Sequence, residues 1–390
     1  MAPPAGSAGP VAPAATDRLR RDNTALVLRA LRDNGSASRA EIAQRTGLAK
    51  ATVSTIMSAL SAAGAVRDVE LATVDVEPAR AGRTGRPGRP VRLGTVPVAL
   101  GVEVNVDYLA ATALDLVGRT VLSTQVPLRP DDDARASLRA LASDSVRALV
   151  TDGHRVLGTG VAVPGQVERA SGRVVQAPNL GWHDVDLAAE LGAGLTSSGA
   201  PLEVDNDANC AAAAELAYGA GRGTSDLLYL TGTVGLGAGL VVDGRVQRGA
   251  HGLAGEVGHA PLGEPGRRCR CGRTGCWETS VGLPALLRAT GVAPDVGARH
   301  DPAVRAGVDA VGRSLATGLA VLAATLDPGL IVLGGSFVPL GEWILPVVTD
   351  EVSRVSSTQV ALSTLGLHAA STGAAAAVLA DVYAGTLALA

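Results

Sequence analysis

The sequence predicts an α/β protein with a small domain of the winged helix-turn-helix type at its N-terminus. Three observations predict this architecture. Two short amphipathic helices joined by a glycine turn end near residue 62, and a ribbon rich in arginine, proline and glycine follows them. After Pro97, long apolar strands bounded by glycine alternate with helices. The 390 residues are enough for two or three domains with a sizeable core.

The charge distribution sets the N-terminal part apart from the rest of the chain. The formal net charge of −3 argues against a basic nucleic-acid binder over the whole length. Residues 17–50 and 77–92 nevertheless each carry a net charge of +4, so the remainder is acidic. This asymmetry favours a negatively charged partner for the N-terminal domain.

The termini and the cysteines predict a soluble cytoplasmic protein without a membrane partner. Residues 1–20, rich in Pro, Ala and Gly, predict a disordered tail and lack the features of a signal peptide. The Ala-rich segment 369–390 is interrupted by Asp381 and by glycines, which favours a packed helix. Three of the four cysteines are clustered, which suits a metal site in a reducing compartment.

Residues 21–96 carry the helix-turn-helix pattern. Ser38 and Glu41 have the spacing of a capping box at the start of the second predicted helix. Gly47 predicts a tight turn into a third helix, whose inward-facing residues are Val53, Ile56 and Leu60. An ordinary three-helix bundle is the alternative.

Two segments of this domain predict contact with double-stranded DNA. The third helix presents small donors outward, suited to phosphates and base edges: Lys50, Thr52, Ser54 and Thr55. The ribbon RTGRPGRPVR (83–92) is extended by its two Gly-Arg-Pro units, and its arginines suit a narrow minor groove: Arg83, Arg86 and Arg89. A solvated linker is the alternative for the ribbon taken alone, and the helix pair upstream favours a wing.

Seven segments make the rest of the chain recognisable: VAVPGQVE (161–168), APNLGW (177–182), VDNDANCAA (204–212), GLGAGLVVDG (235–244), GLAGEVGH (252–259), CRCGRTGCWE (269–278) and LDPGLIVLGG (326–335). On these segments the chain resembles the ROK family, named for repressors, open reading frames and kinases. The winged helix is similar to that of the repressor branch. The resemblance implies a two-lobed, ribonuclease H-like fold like that of actins and hexokinases. Lobe 1 would comprise 97–207 plus 373–390, and lobe 2 would comprise 208–372.

The spacing H-x9-C-x-C-x4-C predicts a zinc site formed by His259, Cys269, Cys271 and Cys276. Three thiolates and one imidazole complete a tetrahedral shell, which leaves no position for a reactive water. The spacing therefore predicts a structural Zn²⁺ that fixes the loop 256–278. Buried thiols without a metal are the alternative.

The resemblance also implies a sugar site. Matched position by position, it implies hydroxyl contacts from Asn179, Asn206, Glu256, His259 and Glu278. His259 would bind zinc through one ring nitrogen and face the sugar with the other. Asp207 lies where the family's kinases keep the general base, and it joins the sugar-binding set here.

The phosphate-binding segments depart from the kinase pattern. Where the family's kinases have Asp-x-Gly-Gly-Thr, this chain has Glu103 for the Asp and Asn105-Val106-Asp107 for Gly-Gly-Thr. The branched Val106 blocks close backbone approach, and Asp107 repels phosphate. In the second glycine-rich segment, Thr233-Val234 stands where kinases have a Gly-Thr turn. The sequence therefore predicts no kinase activity.

These predictions combine into a sugar-responsive DNA-binding repressor of carbohydrate metabolism genes. It would act as a dimer or tetramer on an operator with two half-sites, with a small sugar or sugar derivative as effector. An active ATP-dependent sugar kinase fused to a DNA-binding domain is the first alternative. The second is a vestigial sugar site in a protein that responds to a protein partner.

Overall fold

The computed structural model describes residues 13–69, 89–195, 201–232, 235–291 and 301–389. The N-terminal domain consists of three helices and a small three-stranded sheet. Its elements are α1 (Pro13–Asn34), β1 (Ser36–Ala37), α2 (Arg39–Thr46), α3 (Lys50–Ala62), β2 (Val66–Asp68) and β3 (Val91–Leu93). The strands run in the order β1-β3-β2, all antiparallel.

The local signals of the helix-turn-helix are confirmed. Ser38 caps α2, its hydroxyl accepts from the Glu41 amide, and the Glu41 carboxylate accepts from the Ser38 amide at 2.7 Å. Gly47 ends α2 in a left-handed conformation at φ 71°, which glycine adopts without strain. The three residues predicted to face inward from α3 are buried.

One boundary is wrong, because residues 13–20, predicted to belong to a disordered tail, lie in helix α1. Helix α1 begins at Pro13, before the predicted domain boundary at residue 21. The polar, arginine-rich start of α1 lacks the apolar stripe that marks its second half, so periodicity did not reveal it. The pairing of β2 with β3 agrees with the predicted wing, whereas residues 70–88, which connect the two strands, lie outside the described residues.

A first five-stranded sheet and its helices follow. The elements are β4 (Pro97–Val104), β5 (Tyr108–Asp115), β6 (Thr120–Pro127), α4 (Ala134–Thr151), β7 (Arg155–Val163), β8 (Gln166–Glu168), β9 (Arg173–Ala177), β10 (Trp182–Asp186), α5 (Leu187–Leu195) and β11 (Leu202–Asn206). The main sheet has the order β11-β7-β4-β5-β6, and β10-β9-β8 form a small antiparallel sheet beside it. Strands β4 and β5 are buried on both faces, as their unbroken apolar runs predict.

The second half of the chain builds a second five-stranded sheet. Its elements are α6 (Asp207–Tyr218), β12 (Leu227–Gly232), β13 (Leu236–Val242), β14 (Arg245–Gln247), α7 (Glu278–Val281), α8 (Leu283–Thr290), α9 (Pro302–Leu326), β15 (Leu330–Gly335), α10 (Gly341–Ser353), β16 (Gln359–Leu362) and α11 (Ala369–Ala384). The strand order is β14-β13-β12-β15-β16. Helix α9 is long and apolar enough to span a membrane, yet half of that stretch is buried in the core of this half.

Helix α11 packs across the first sheet and reaches the N-terminal domain. Its small residues let β4 and β7 approach closely: a Cβ on Gly101 would lie 1.9 Å from the Ser371 carbonyl oxygen. At its other end Val382 and Tyr383 belong to one apolar cluster with Leu28 of α1 and with residues of the first sheet. The C-terminal segment is therefore a packed helix, as predicted, and it shares a core with the DNA-binding-type domain.

Two buried glycines of α9 are expected to respond oppositely to alanine. A Cβ on Gly318 would lie 2.1 Å from the indole of Trp277, so Gly318→Ala should destabilise the protein by about 1–3 kcal/mol. A Cβ on Gly312 would find its nearest atom, Ile344 Cγ1, at 4.0 Å. Gly312→Ala should therefore stabilise the helix by about 0.4–1 kcal/mol. The melting temperatures of the two variants test this prediction. If both melting temperatures change in the same direction, the packing described around Gly312 and Gly318 is contradicted.

Candidate ligand cleft and metal centre

All six residues of the predicted sugar set line one cleft between the two large sheets. They come from different elements: the 3-10 turn 178–180, the junction of β11 with α6, the 3-10 turn 257–259 and the start of α7. The residues are Asn179, Asn206, Asp207, Glu256, His259 and Glu278. Thr231, Gly235 and the Pro164-Gly165 turn also line it.

Asn206 and Asp207 lie at the N-terminus of α6. Asn206 caps the helix by accepting from the Asn209 amide at 3.1 Å, and its side-chain amide donates to the Gly165 carbonyl at 3.0 Å. These two bonds fix the orientation of Asn206, which sequence alone could not show. Burial raises the pKa of Asp207 to about 6, and the nearby Glu256 carboxylate adds to the effect.

Glu256 and Glu278 flank the imidazole of His259. His259 Nε2 lies 3.8 Å from Glu256 Oε2, and Nδ1 lies 3.7 Å from Glu278 Oε1. Burial raises the pKa of Glu256. The nearby His259 lowers this pKa, and the Glu278 carboxylate raises it further. The backbone of Gly235 lies close to the Glu278 carboxylate, since a Cβ on Gly235 would lie 3.1 Å from Glu278 Oε2. The cleft thus offers carboxylate acceptors and amide donors at short range, the pattern that hydroxyl groups require.

His259 and the three clustered cysteines form a group that could hold a metal. Their ligand atoms all lie within 4.8 Å of one another. Cys271 Sγ is 3.7 Å from Cys276 Sγ, and Cys269 Sγ is 3.8 Å from His259 Nδ1. Zinc bonds of about 2.0–2.3 Å at tetrahedral angles separate ligand atoms by roughly these distances. The His259 nitrogen on the cysteine side is Nδ1, which leaves Nε2 on the side of Glu256.

The loop that carries the three clustered cysteines, the cysteine loop, is stabilised by hydrogen bonds between its own backbone groups. The Cys269 amide donates to the Arg273 carbonyl at 2.8 Å, and Arg268 forms a β-bridge with Thr274. Trp277, directly after the last cysteine, is fully buried and its indole N–H donates to the Ser314 carbonyl at 3.1 Å. The loop is therefore anchored in the core of the second half.

Arg270 is a cleft residue that the sequence interpretation missed. It lies between two of the clustered cysteines, and its guanidinium donates to Asn179 Oδ1 at 3.3 Å. This bond joins the cysteine loop to the first half of the molecule across the cleft. The sequence places Arg270 between two predicted zinc ligands, but that position alone does not reveal the contact with Asn179.

The turn between β4 and β5 uses its polar groups internally. The Val106 amide donates to Asn105 Oδ1 at 2.7 Å, and the Asn105 amide donates to the Tyr108 carbonyl at 2.9 Å. The Tyr108 hydroxyl donates to Glu103 Oε1 at 2.7 Å, and burial raises the pKa of Glu103 to about 8. Amides bonded in this way are not directed at a phosphate. In the second glycine-rich segment, Thr233 and Val234 lie outside the described residues.

The predicted DNA-contacting residues are unevenly exposed. Lys50 and Thr55 are exposed, whereas Thr52 and Ser54 are half-buried. Thr52 and Thr55 line a groove of about 560 Å³ between α3, α1 and the end of the chain, so they point less directly outward than predicted. Arg89 is exposed just before β3, while Arg83 and Arg86 lie outside the described residues.

Comparison with known proteins defines the class. The model of the ROK family matches residues 99–384, and a model described as winged helix-turn-helix DNA-binding matches residues 20–67. The chain belongs to the ROK family. It carries the predicted winged helix-turn-helix, joined to a ROK domain of the actin and hexokinase fold.

Individual relatives include repressors and kinases. The chain is 26% identical to the xylose repressor of Bacillus spizizenii over 380 residues, covering 93% of this chain and 96% of that protein. It is 33% identical to the xylose repressor of Caldicellulosiruptor bescii over 272 residues, 69% of this chain and 66% of that repressor. It is 29% identical to the glucokinase of Streptomyces coelicolor over 282 residues, 65% of this chain and 87% of the kinase.

One solved structure covers almost the whole chain. The crystal structure of a ROK family transcriptional regulator, a homologue of the E. coli MLC protein, superposes with a TM-score of 0.74 at 23% identity. The match covers 94% of this chain and 98% of that regulator. The winged domain and both lobes therefore share the fold of this regulator.

Proposed function

We propose that this protein is a sugar-responsive DNA-binding transcription regulator of the repressor type, acting in the cytoplasm on carbohydrate metabolism genes. The observation that carries the proposal is the turn between β4 and β5. The Asn105 and Val106 amides are bonded within the turn, at the positions where the family's kinases have the glycines of their phosphate cradle, and the neighbouring Glu103 is buried. The six residues of the predicted sugar set line one cleft, and a winged helix-turn-helix precedes the ROK domain, both of which support the proposal.

The proposed effector is a small neutral sugar. Glu256 and Glu278 would accept hydrogen bonds from the sugar hydroxyl groups. The side-chain amide of Asn179 would donate hydrogen bonds to these groups or accept them. Three carboxyl groups line the cleft, which disfavours an anionic ligand. Since the repressor relatives are named for xylose, xylose is the first sugar to test.

The proposed metal is a structural Zn²⁺ held by His259 and the three cysteines. Four protein ligands complete its shell, so it would supply rigidity and no reactive water. The cleft-side nitrogen of His259 and the adjacent Arg270 would keep their positions because the loop is fixed. The metal would thus orient the sugar site without taking part in any reaction.

Coupling between cleft and DNA-binding domain is proposed to run through α11. The start of this helix borders the cavity that contains Glu103 and Asp207. At its end, Arg29 of α1 donates to the Tyr383 carbonyl, and Arg32 lies over the Tyr383 ring at 4.5 Å. A sugar that binds one lobe arrangement better than another would shift both α11 and α1. As a dimer or tetramer, the protein would then change its fit to two DNA half-sites.

An active sugar kinase with an attached DNA-binding domain is the alternative that a specific observation favours. Asp207 is retained in the cleft with a raised pKa of about 6, which suits a general base, and glucokinases are among the relatives. Against it stand the bonded amides of Asn105 and Val106, and the Asp107 carboxylate, which takes the place of the Thr of the kinase motif and would repel phosphate.

A sugar panel read by thermal shift, together with a coupled ADP-release assay, tests the proposal. At 100 times its Kd, a sugar that binds only the native state should add about 2.7 kcal/mol of stability. We expect such a shift in the wild-type protein, and no ADP release above background in either the wild type or Asp207→Asn. Sugar-dependent turnover that Asp207→Asn abolishes would instead establish the kinase.

A further inference from the structure

The exposed face of the wing sheet carries a row of three polar side chains. In the register of β1, β3 and β2, Ser36 lies opposite Arg92, and Arg92 lies opposite Arg67. Directly opposed residues project from the same face of a sheet. All three are exposed, whereas the neighbouring positions on the other face are buried: Ala37, Val66, Val91 and Leu93.

This Ser36-Arg92-Arg67 row places two like charges directly across from each other. Such a pair is unfavourable for the sheet, since opposed like charges repel at cross-strand distance. Among the described residues, neither arginine forms an ion pair with an acid. By contrast, Arg147 and Arg354, also on the surface, pair with acids one helical turn away.

The nearest acid along the chain does not neutralise the row. Asp68 follows Arg67 in β2, but its cross-strand partner is the buried Val91, so it belongs to the opposite face. The row therefore presents two guanidinium groups and one hydroxyl to solvent on strands about 4.8 Å apart. The row thus favours the binding of a ligand that carries closely spaced negative charges.

We propose that the Ser36-Arg92-Arg67 row is a phosphate-contacting surface for the backbone of duplex DNA. Duplex DNA carries one negative charge per about 1.7 Å of helix axis, and Arg and Ser are common donors to its phosphates. The row lies at the base of the wing, and none of its three residues is among the α3 and ribbon residues predicted above to contact DNA, although Arg92 is the last residue of the ribbon. The inference rests on the proposed DNA-binding function and adds an anchor that is independent of sequence.

The salt dependence of DNA binding by the full chain tests this surface. The probe is a 30-base-pair duplex of arbitrary sequence, because phosphate contacts do not depend on an operator. In the double variant Arg67→Ala/Arg92→Ala, the slope of log K against log salt should fall by about two, or about one per arginine. The melting temperature should stay the same or rise, since the repulsion is removed.

Matched variants make the result specific. Arg147→Ala/Arg354→Ala removes the same charge from other surface helices and should leave the slope unchanged. Arg67→Lys/Arg92→Lys keeps the charge and should keep most of the slope, even if the alanine variant folds poorly. Ser36→Ala should weaken binding slightly at every salt concentration without changing the slope, because a hydroxyl releases no counterion.

The outcomes separate this inference from the proposed function. If the wild-type chain binds the duplex and the alanine variant shows the same slope, the row does not contact phosphate and the inference is overturned alone. If the wild-type chain binds no duplex of any sequence, the DNA-binding proposal itself is overturned and the inference with it.

Discussion

Cys271→Ala is expected to remove stoichiometric zinc from the protein and, with it, the response to sugar. Cys271 Sγ lies 3.7 Å from Cys276 Sγ, and its loss leaves three of the four proposed ligands. A metal that binds only the native state at 1,000 times its Kd contributes about 4.1 kcal/mol, so the melting temperature should fall by several degrees. Glu256 and Glu278, at the two ends of this loop, should then lose their fixed positions.

Cys210→Ala is the matched control, since Cys210 is buried in α6 and is not one of the clustered cysteines. Metal analysis of the purified chains should give one zinc per chain for the wild type and Cys210→Ala, and none for Cys271→Ala. Thermal shift with the effector sugar should follow the zinc content. A Cys271→Ala protein that keeps full sugar binding without metal would show that the loop does not need zinc.

Glu256→Gln is expected to weaken sugar binding by about 10- to 100-fold while the fold is preserved. The substitution keeps the size of the side chain but replaces a charged acceptor, and hydrogen bonds to charged groups contribute about 1.5–3 kcal/mol. Because burial raises the pKa of Glu256, removing its charge also relieves a desolvation cost. Stability should therefore not fall, which distinguishes lost contact from lost fold.

Glu264→Gln serves as the control for this prediction. Glu264 lies on the same loop, pairs with Arg267 and does not line the cleft. Titration calorimetry with the effector sugar should give a wild-type Kd for Glu264→Gln and a weakened one for Glu256→Gln. Equal affinities in the two variants would place the sugar elsewhere in the molecule.

The sequence predicted those features that depend on neighbours along the chain. The Ser38 and Glu41 capping box, the Gly47 turn and the spacing of the four proposed zinc ligands are local patterns, and the structure brings each set together. The start of α1 was predicted too late, since its arginine-rich first turns carry no apolar stripe.

The features that the sequence did not reveal depend on contacts between distant residues. Arg270 reaches Asn179, which is 91 positions away along the chain, and Arg29 reaches Tyr383 from the other end of the protein. Pattern matching also identified Glu103 only as a departure from the kinase motif. The structure adds that the Tyr108 hydroxyl is bonded to it, so the altered turn is satisfied internally.

The shared core between α1, the first sheet and α11 gives the regulator its proposed mechanism. Domains joined by a flexible linker would let the sugar-binding lobes move without affecting DNA contact. Here Leu28, Leu116 and Val382 belong to one buried cluster, so a displacement of α11 reaches α1 through packed side chains. The size of the effect is limited by the difference in sugar affinity between the two arrangements.

The most direct test of the central claim is the affinity of the full chain for an operator fragment, selected from genomic DNA, with and without sugar at fixed salt. The account predicts that the sugar found by thermal shift changes this affinity by about 5- to 150-fold, the usual range of allosteric coupling. At a sugar concentration just sufficient to saturate the wild type, the change should be largely lost in Glu256→Gln, whose operator affinity without sugar stays that of the wild type. An operator affinity that no sugar of the panel alters, although one of them binds, would contradict the account.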